Sequence, residues 1–327
     1  MPSDIYHSIE SMKSPLLSAA LALAVALPVF PQDDVIKVDV DIVNILFNVR
    51  TKKNGIVGTL TKDDFEIWED GKKQEVKFFT RESNLPLTIG MLVDVSMSQE
   101  NLIEQEKASS LQFFQRVLRK EDLAFLMSFG SEAELLQDYT NSMKLLRAGM
   151  DAIRLSGSAG AMSPTGSPVP TASTPRGTIL FDSVFLASAD QLKSQVGRKV
   201  IILVTDGMDQ GSRYTRERAI EAAQKSDVII YSIFHADFRR NGYYYRPSTA
   251  DLSRMSGDTG GRVFEAGRND LNQIFKEIEE DVRSQYAVGY TPSNPNKDGS
   301  FRKVEIRVKN KDLKVFARKG YYANRPD

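Results

Sequence analysis

The feature that most constrains the fold is a regular alternation of buried strands and amphipathic helices that begins at Leu85. The segment LPLTIGMLVDVS is an almost continuous apolar run that ends in polar residues, as expected of a strand covered on both faces of a parallel sheet. Helical and strand-like segments then alternate as far as residue 284. The alternation predicts an α/β fold, a doubly wound and mostly parallel sheet with helices on both faces, similar to Rossmann-type folds.

The hydrophobic periodicity places the individual elements of this α/β domain, residues 85–284. After the first strand, strands are predicted over 123–129, 133–136, 199–205, 228–234 and 262–264. Helices are predicted over 101–118, 142–155, 179–192, 214–226, 249–256 and 269–283. Residues 156–177 interrupt the pattern with Ser, Gly, Pro and Thr, which predicts a flexible loop.

Strand signals without helices flank the α/β domain on both sides. Residues 35–84 contain a stretch of alternating apolar and polar residues and a hairpin turn at Asp70-Gly71. Residues 285–327 contain three further strand-like segments. The economical interpretation is one small β-sandwich-like domain built from both flanks, and a separate C-terminal extension is the alternative. Acidic residues of the first flank, including Asp64, Glu69 and Asp70, are expected at turns or on the surface.

The first 32 residues have the form of a signal peptide. Lys13 precedes an apolar run over residues 15–27, and prolines and an acidic pair follow it. The run is shorter than the roughly 20 residues that a membrane span needs. The sequence therefore predicts a protein that is secreted or held in the periplasm or cell envelope, without a membrane span in the mature chain. An uncleaved anchor is the alternative.

Composition excludes several classes of function. Lysine plus arginine equals aspartate plus glutamate at 43 each, so the chain as a whole lacks the basic field of a nucleic-acid-binding protein. Cysteine is absent and only His7 and His235 are present. Thiolate metal sites, a cysteine nucleophile, a zinc site and a Ser-His-Asp triad are therefore all disfavoured.

Hydroxyl and carboxylate side chains converge in the predicted sheet, because the carboxyl ends of parallel strands open on one edge. Asp94, Ser96 and Ser98 follow the first strand, and their spacing would direct them to one side of an extended segment. Thr178 opens a helix, and Asp206 follows the strand over 199–205. This oxygen-only set suits Mg²⁺, with Mn²⁺ or Ca²⁺ as substitutes. The alternative is a set of polar turns and helix caps without metal affinity.

At these residues the chain resembles the von Willebrand factor type A (VWFA) domain family, whose metal-ion-dependent adhesion site consists of Asp-x-Ser-x-Ser, a distant Thr and a distant Asp. The matching segments are DVSMS (94–98), GTILFDS (177–183) and ILVTDG (202–207), in the family's order. The segments LTKDDFEIWEDGKKQ, QYAVGYTPSN and FARKGYYA look like the secreted bacterial VWFA-related acidobacterial domain proteins. The resemblance extends over residues 36–323, and Met97 stands where the family often has Gly.

The resemblance implies a division of labour among the five residues. Ser96 and Ser98 would bind the ion directly, Asp94 and Asp206 directly or through water, and Thr178 when the site is occupied. A carboxylate from an Asp or Glu of a protein partner would complete the shell. An ion held largely by hydroxyls and water keeps enough field to attract such a group.

A second candidate region is the loop after the strand over 228–234, which must emerge on the same edge. The sequence HADFRRNGYYYRPS carries residue types that are enriched in interface hot spots, and arginine would favour an acidic partner. The predicted partner-binding rim consists of Arg239, Arg240, Tyr243, Tyr244 and Tyr245. The alternative is an ordinary solvated loop.

The leading functional hypothesis is thus a non-enzymatic, metal-dependent protein-binding or adhesion module. A metal-dependent hydrolase or phosphotransferase is the rival, because an aspartate after the first strand of an α/β fold can be a nucleophile. Such an enzyme would need a second acid two residues on, with a lysine and a general base nearby, whereas this chain has Ser96 and Ser98 and no histidine within the constellation. A structural subunit of an envelope complex is a third possibility. Asp209 is explained equally well as support for the site and as a turn residue.

Overall fold

The structure is a computed structural model that describes residues 42–82, 85–156, 177–237, 247–266 and 270–323. The predicted signal peptide and nearly all of the predicted loop over 156–177 lie outside these residues. In chain order the strands and α-helices are β1 (Val43–Thr51), β2 (Phe65–Glu69), β3 (Lys72–Gln74), β4 (Val76–Glu82), β5 (Leu87–Asp94), α1 (Ile103–Val117), β6 (Leu123–Phe129), β7 (Ala133–Thr140), α2 (Met143–Ala152), α3 (Leu180–Leu186), β8 (Arg198–Thr205), α4 (Arg216–Lys225), β9 (Val228–Phe234), α5 (Ala250–Thr259), β10 (Val263–Glu265), α6 (Leu271–Arg283), β11 (Gln285–Tyr290), β12 (Phe301–Val308), β13 (Leu313–Ala317) and β14 (Gly320–Tyr322).

The described strands of the α/β part form a six-stranded sheet in the order β10-β9-β8-β5-β6-β7. Every pair is parallel except β6 with β7, which is antiparallel at the edge. Strand β8 is buried along its whole length, with Val200, Ile202 and Val204 in the core under α1, α2 and α6. Ile201 and Leu203 lie in the core under α3, α4 and α5. The predicted doubly wound, mostly parallel sheet is confirmed.

Two antiparallel sheets accompany the α/β part. Their strand orders are β13-β1-β11-β4 and β14-β12-β2-β3, so each sheet combines strands from before and after the α/β part. Phe47 of the first sheet meets Phe65 of the second edge-on, with ring centroids 5.1 Å apart. Apolar residues of both sheets share one core. The predicted β-sandwich-like arrangement of N- and C-terminal strands is therefore present.

Glu69 was expected on the surface, and this expectation is wrong. Glu69 is only 2% exposed. One of its carboxylate oxygens accepts hydrogen bonds from the hydroxyls of Tyr290 at 2.7 Å and Tyr321 at 2.9 Å. Glu69 and Tyr321 belong to one sheet and Tyr290 to the other. The carboxylate therefore joins the two sheets. The sequence could not show this, because the partners lie more than 200 residues away.

Replacing Tyr290 with Phe is expected to lower the free energy of unfolding by about 2 kcal/mol, since a hydrogen bond to a buried charged acceptor is lost. The measurement is urea denaturation followed through Trp68, the chain's single tryptophan, which lies on β2. Tyr322→Phe is the matched control, because that ring packs beside Lys225, 4.9 Å from the ammonium. Equal midpoints for the two variants would contradict the assigned role of Glu69.

Within the described residues, no helix is both long enough and apolar enough to cross a membrane.

Candidate metal centre

The candidate site lies where the two central strands of the parallel sheet end. Asp94 is the last residue of β5, and Asp206 follows Thr205, the last residue of β8. These strands are adjacent and parallel, with Val93 opposite Val204. Both carboxylates therefore emerge at the same edge, as the sequence predicted.

Four of the five predicted ligands form one hydrogen-bonded chain. The Asp94 carboxylate accepts from the Ser96 amide at 2.9 Å, and the Ser96 and Ser98 hydroxyl oxygens are 2.9 Å apart. The Ser98 hydroxyl donates to Asp206 Oδ2 at 2.6 Å. The extended conformation predicted for this segment is wrong, however. The segment is not extended, because a 3-10 turn over Met97–Gln99 brings the hydroxyls together.

Thr178, the fifth predicted ligand, is buried just before α3. Its backbone carbonyl accepts a hydrogen bond from the backbone amide of Gln210 at 3.0 Å. Gln210 lies in the loop that begins at Asp206. Among the described residues, no hydrogen bond joins the Thr178 side chain to the other four predicted ligands. The backbone of two neighbouring segments therefore sets its position relative to Asp206.

The two carboxylates of the site are buried together. Asp94 is 0% and Asp206 1% exposed, and in the described part of the chain neither forms an ion pair. Burial and the nearby charge of Asp206 raise the pKa of Asp94 to about 7, against the opposing hydrogen bonds from Ser96 and Thr205. Since two buried carboxylates without a cationic partner are costly, a divalent cation would supply the missing positive charge.

The donor set fits such a cation. Two carboxylates and three hydroxyl-bearing residues offer only oxygen, which is the ligand type of Mg²⁺, Mn²⁺ and Ca²⁺. The described residues contain no group of three or more His, Cys, Asp or Glu arranged to hold a metal. Any ion here would consequently depend on the serine and threonine hydroxyls as well as on Asp94 and Asp206.

The residues that hold these groups in place were not among the predicted site residues. The fully buried Thr205 donates its hydroxyl to Asp94 Oδ2 at 2.6 Å and accepts from the Gly207 amide at 3.1 Å. The Gln99 side chain donates to the backbone carbonyl of His235 at 3.3 Å. The Nδ1 atom of His235 is 2.7 Å from a Glu106 carboxylate oxygen, and burial raises the pKa of Glu106. Of these residues, only Thr205 could have been found from the sequence, because it is the last residue of the predicted strand and directly precedes Asp206.

The predicted partner-binding rim lies outside the described residues. Arg239, Arg240, Tyr243, Tyr244 and Tyr245 all lie in residues 238–246, outside the described part of the chain.

Comparisons with known proteins give distant similarities. No family model matches the chain. An uncharacterized protein of Borreliella burgdorferi is 22% identical over 245 residues, which is 69% of this chain and 62% of that protein. This chain thus spans less than two thirds of that relative, and the relative's identity to it is low.

Solved structures with a similar fold include proximal thread matrix protein 1 of the mussel byssus. It is 14% identical to this chain, and the TM-score is 0.47. The similarity covers 66% of this chain and 51% of that chain. A second structure of that mussel protein, at the same TM-score of 0.47, has zinc in its metal-ion-dependent adhesion site (MIDAS) motif. The conserved hypothetical protein BatB of Bacteroides thetaiotaomicron is 15% identical, with 62% of this chain and 100% of that chain covered and a TM-score of 0.43.

Proposed function

We propose that this chain is a metal-dependent protein-binding module whose Mg²⁺, or Mn²⁺ or Ca²⁺ in its place, is held by Asp94, Ser96, Ser98, Thr178 and Asp206. The ion bridges to an Asp or Glu carboxylate of a protein partner, as the resemblance to VWFA domains implies. One observation carries the proposal, the convergence of two buried carboxylates and two serine hydroxyls at the edge of the sheet.

The rival proposal is an enzymatic role in which Asp94 would act as a nucleophile. Such an enzyme would need a second acid two residues after the nucleophile, whereas Ser96 occupies that position and donates its backbone amide to Asp94. We therefore propose a binder rather than a hydrolase. We further propose that it acts outside the cytoplasm, in the periplasm, in the cell envelope or as a secreted protein, on the signal-peptide pattern of its N-terminal residues.

The test is a pull-down from envelope extract or culture supernatant with the wild type and with Asp94→Ala, each in Mg²⁺ and in EDTA. The wild type in Mg²⁺ is expected to capture a protein that the other three conditions do not. Amidating the carboxylates of that captured protein should prevent its recapture. The control variant is Asp312→Ala, whose side chain is 77% exposed in the β-sandwich, and it should behave as the wild type.

Capture of the same proteins under all conditions would refute the metal bridge. Circular dichroism of Asp94→Ala addresses the structural-subunit alternative. If the ion serves only to hold the domain together, Asp94→Ala will be unfolded rather than folded and inactive.

A further inference from the structure

We infer that Asp182 and Asp209 are positioning residues of the proposed metal centre, which fasten the loop over residues 206–214 to the start of α3 and so fix Thr178 relative to Asp206. The inference rests on the proposed function. Neither carboxylate belongs to the predicted ligand set. Their contacts cross between two segments that are about 30 residues apart in the chain.

Asp182 fastens the loop from the helix side. It lies in the first turn of α3 and is buried. Its two oxygens accept from the Arg213 amide at 2.8 Å and 3.0 Å, and one of them also accepts from the Tyr214 amide at 2.8 Å. The end of the loop is therefore held by a carboxylate that α3 carries.

The loop fastens the helix in return. The first amides of a helix have no partner within it, and Ile179 at the cap position of α3 provides no side-chain acceptor. The Ser212 hydroxyl oxygen accepts from the amides of Phe181 at 3.0 Å and Asp182 at 3.1 Å. Asp209 accepts from the Ser212 hydroxyl and from the Phe181 amide. The start of α3 is thus capped by side chains of the loop.

The two predicted ligands Thr178 and Asp206 stand just before the two segments that these hydrogen bonds join. The loop begins at Asp206, and its Gln210 amide donates to the Thr178 carbonyl at 3.0 Å. Gly177 has φ +145, and a Cβ atom there would lie 3.1 Å from the Gln210 carbonyl oxygen. The backbone of Gln210 thus contacts the backbone of Gly177 and Thr178. Moving the loop away from α3 would therefore change the distance between Thr178 and Asp206.

The test measures Mg²⁺ binding to the full chain by isothermal titration calorimetry. Since losing a group that orients metal ligands costs roughly 10 to 100-fold in affinity, Asp182→Ala is expected to bind Mg²⁺ at least about tenfold more weakly. Asp182→Asn keeps one acceptor oxygen and should recover part of the affinity. Hydrogen exchange of the Arg213 and Tyr214 amides should be faster in Asp182→Ala, and Asp209→Ala should accelerate exchange at Phe181.

Asp122→Asn is the matched control, because Asp122 is 2% exposed and accepts from the backbone amides of Leu87 and Arg119 at the opposite edge of the same sheet. It should lower thermal stability and leave Mg²⁺ affinity unchanged. The inference would be overturned, and the proposed function left intact, if a folded Asp182→Ala bound Mg²⁺ with wild-type affinity. The same holds if Asp122→Asn lost as much Mg²⁺ affinity as Asp182→Ala. If the wild type itself binds no Mg²⁺, the proposed function fails and the inference fails with it.

Discussion

Asp94→Asn is expected to make the ion-free protein more stable while it removes Mg²⁺ binding. In EDTA at pH 8, the free energy of unfolding of the variant should exceed that of the wild type by up to about 4 kcal/mol. The amide oxygen can still accept from Ser96, and the amide nitrogen can donate to the Thr205 hydroxyl oxygen. The Thr205 hydroxyl then loses the acceptor of its own proton, which is why about 4 kcal/mol is an upper limit. What disappears is a buried negative charge beside Asp206.

The pH dependence of this effect follows from the pKa of Asp94, which is raised from 3.8 to about 7 in the folded chain. Between these two values the folded state binds a proton that the unfolded state does not. Ion-free wild-type protein should therefore lose stability as pH rises through this window. Asp94→Asn, which cannot ionise, should lack this component of the slope.

The measurement is chemical denaturation at several pH values in EDTA, repeated with Mg²⁺. Mg²⁺ should stabilise the wild type by about 1.4 kcal/mol for each tenfold excess over its dissociation constant, and should leave Asp94→Asn unchanged. Asp312→Asn, on the exposed end of the sandwich, serves as the control for an acid-to-amide change. An Asn variant that is less stable than the wild type in EDTA at pH 8 would show that Asp94 is not in electrostatic conflict with Asp206.

The buried strands could be predicted because they leave long apolar runs in the sequence. Strands β6 and β9 begin and end at the predicted residues, Leu123 to Phe129 and Val228 to Phe234. Strand β7 extends to Thr140, four residues beyond the prediction, because an edge strand with half-exposed residues has no such run. Strand β14 was not predicted, since its three residues are ordered by pairing with β12.

The candidate site was predictable to the same extent and for a similar reason. Strand ends identify Asp94 and Asp206 because topology alone brings them to one edge. The 3-10 turn at Met97 and the hydrogen bonds that Asp182 and Ser212 form with each other's segments depend on tertiary contacts. The local sequence does not encode such contacts in a recognisable pattern. Buried carboxylates such as Glu69 and Asp281 look like surface acids for the same reason.

Asp281→Ala is expected to lower the free energy of unfolding by about 3 to 5 kcal/mol. Asp281 is 1% exposed near the end of α6. One of its oxygens lies 2.7 Å from Arg50 Nε of β1, and the other 2.9 Å from Arg262 Nε. Removing the carboxylate leaves a fully buried Arg50 and a largely buried Arg262 without their closest counter-charge.

Glu280→Ala is the matched control. Its carboxylate is 3.4 Å from the same Arg50, but its side chain is 39% exposed, and exposed ion pairs contribute about 0 to 1 kcal/mol. Denaturation followed by Trp68 fluorescence reports the β-sandwich, and far-UV circular dichroism also reports the helices. Because Asp281 joins β1 of the sandwich to α6 of the α/β part, both signals should shift together in Asp281→Ala. A shift no larger than that of Glu280→Ala would contradict the prediction.

A triple replacement separates two changes in the free energy of unfolding. One is the loss when a single charge of this network is removed, and the other is the net contribution of the whole network. Burying charges is expensive, and apolar side chains of similar size often substitute for a buried ionic group without loss. The combination Arg50→Met, Arg262→Met and Asp281→Leu is therefore expected to recover most of the stability that Asp281→Ala alone removes. If the triple variant is as unstable as Asp281→Ala, the two arginines contribute through their other contacts, such as the bond from Arg50 to the Glu277 carbonyl at 3.1 Å, rather than through the buried charge pair.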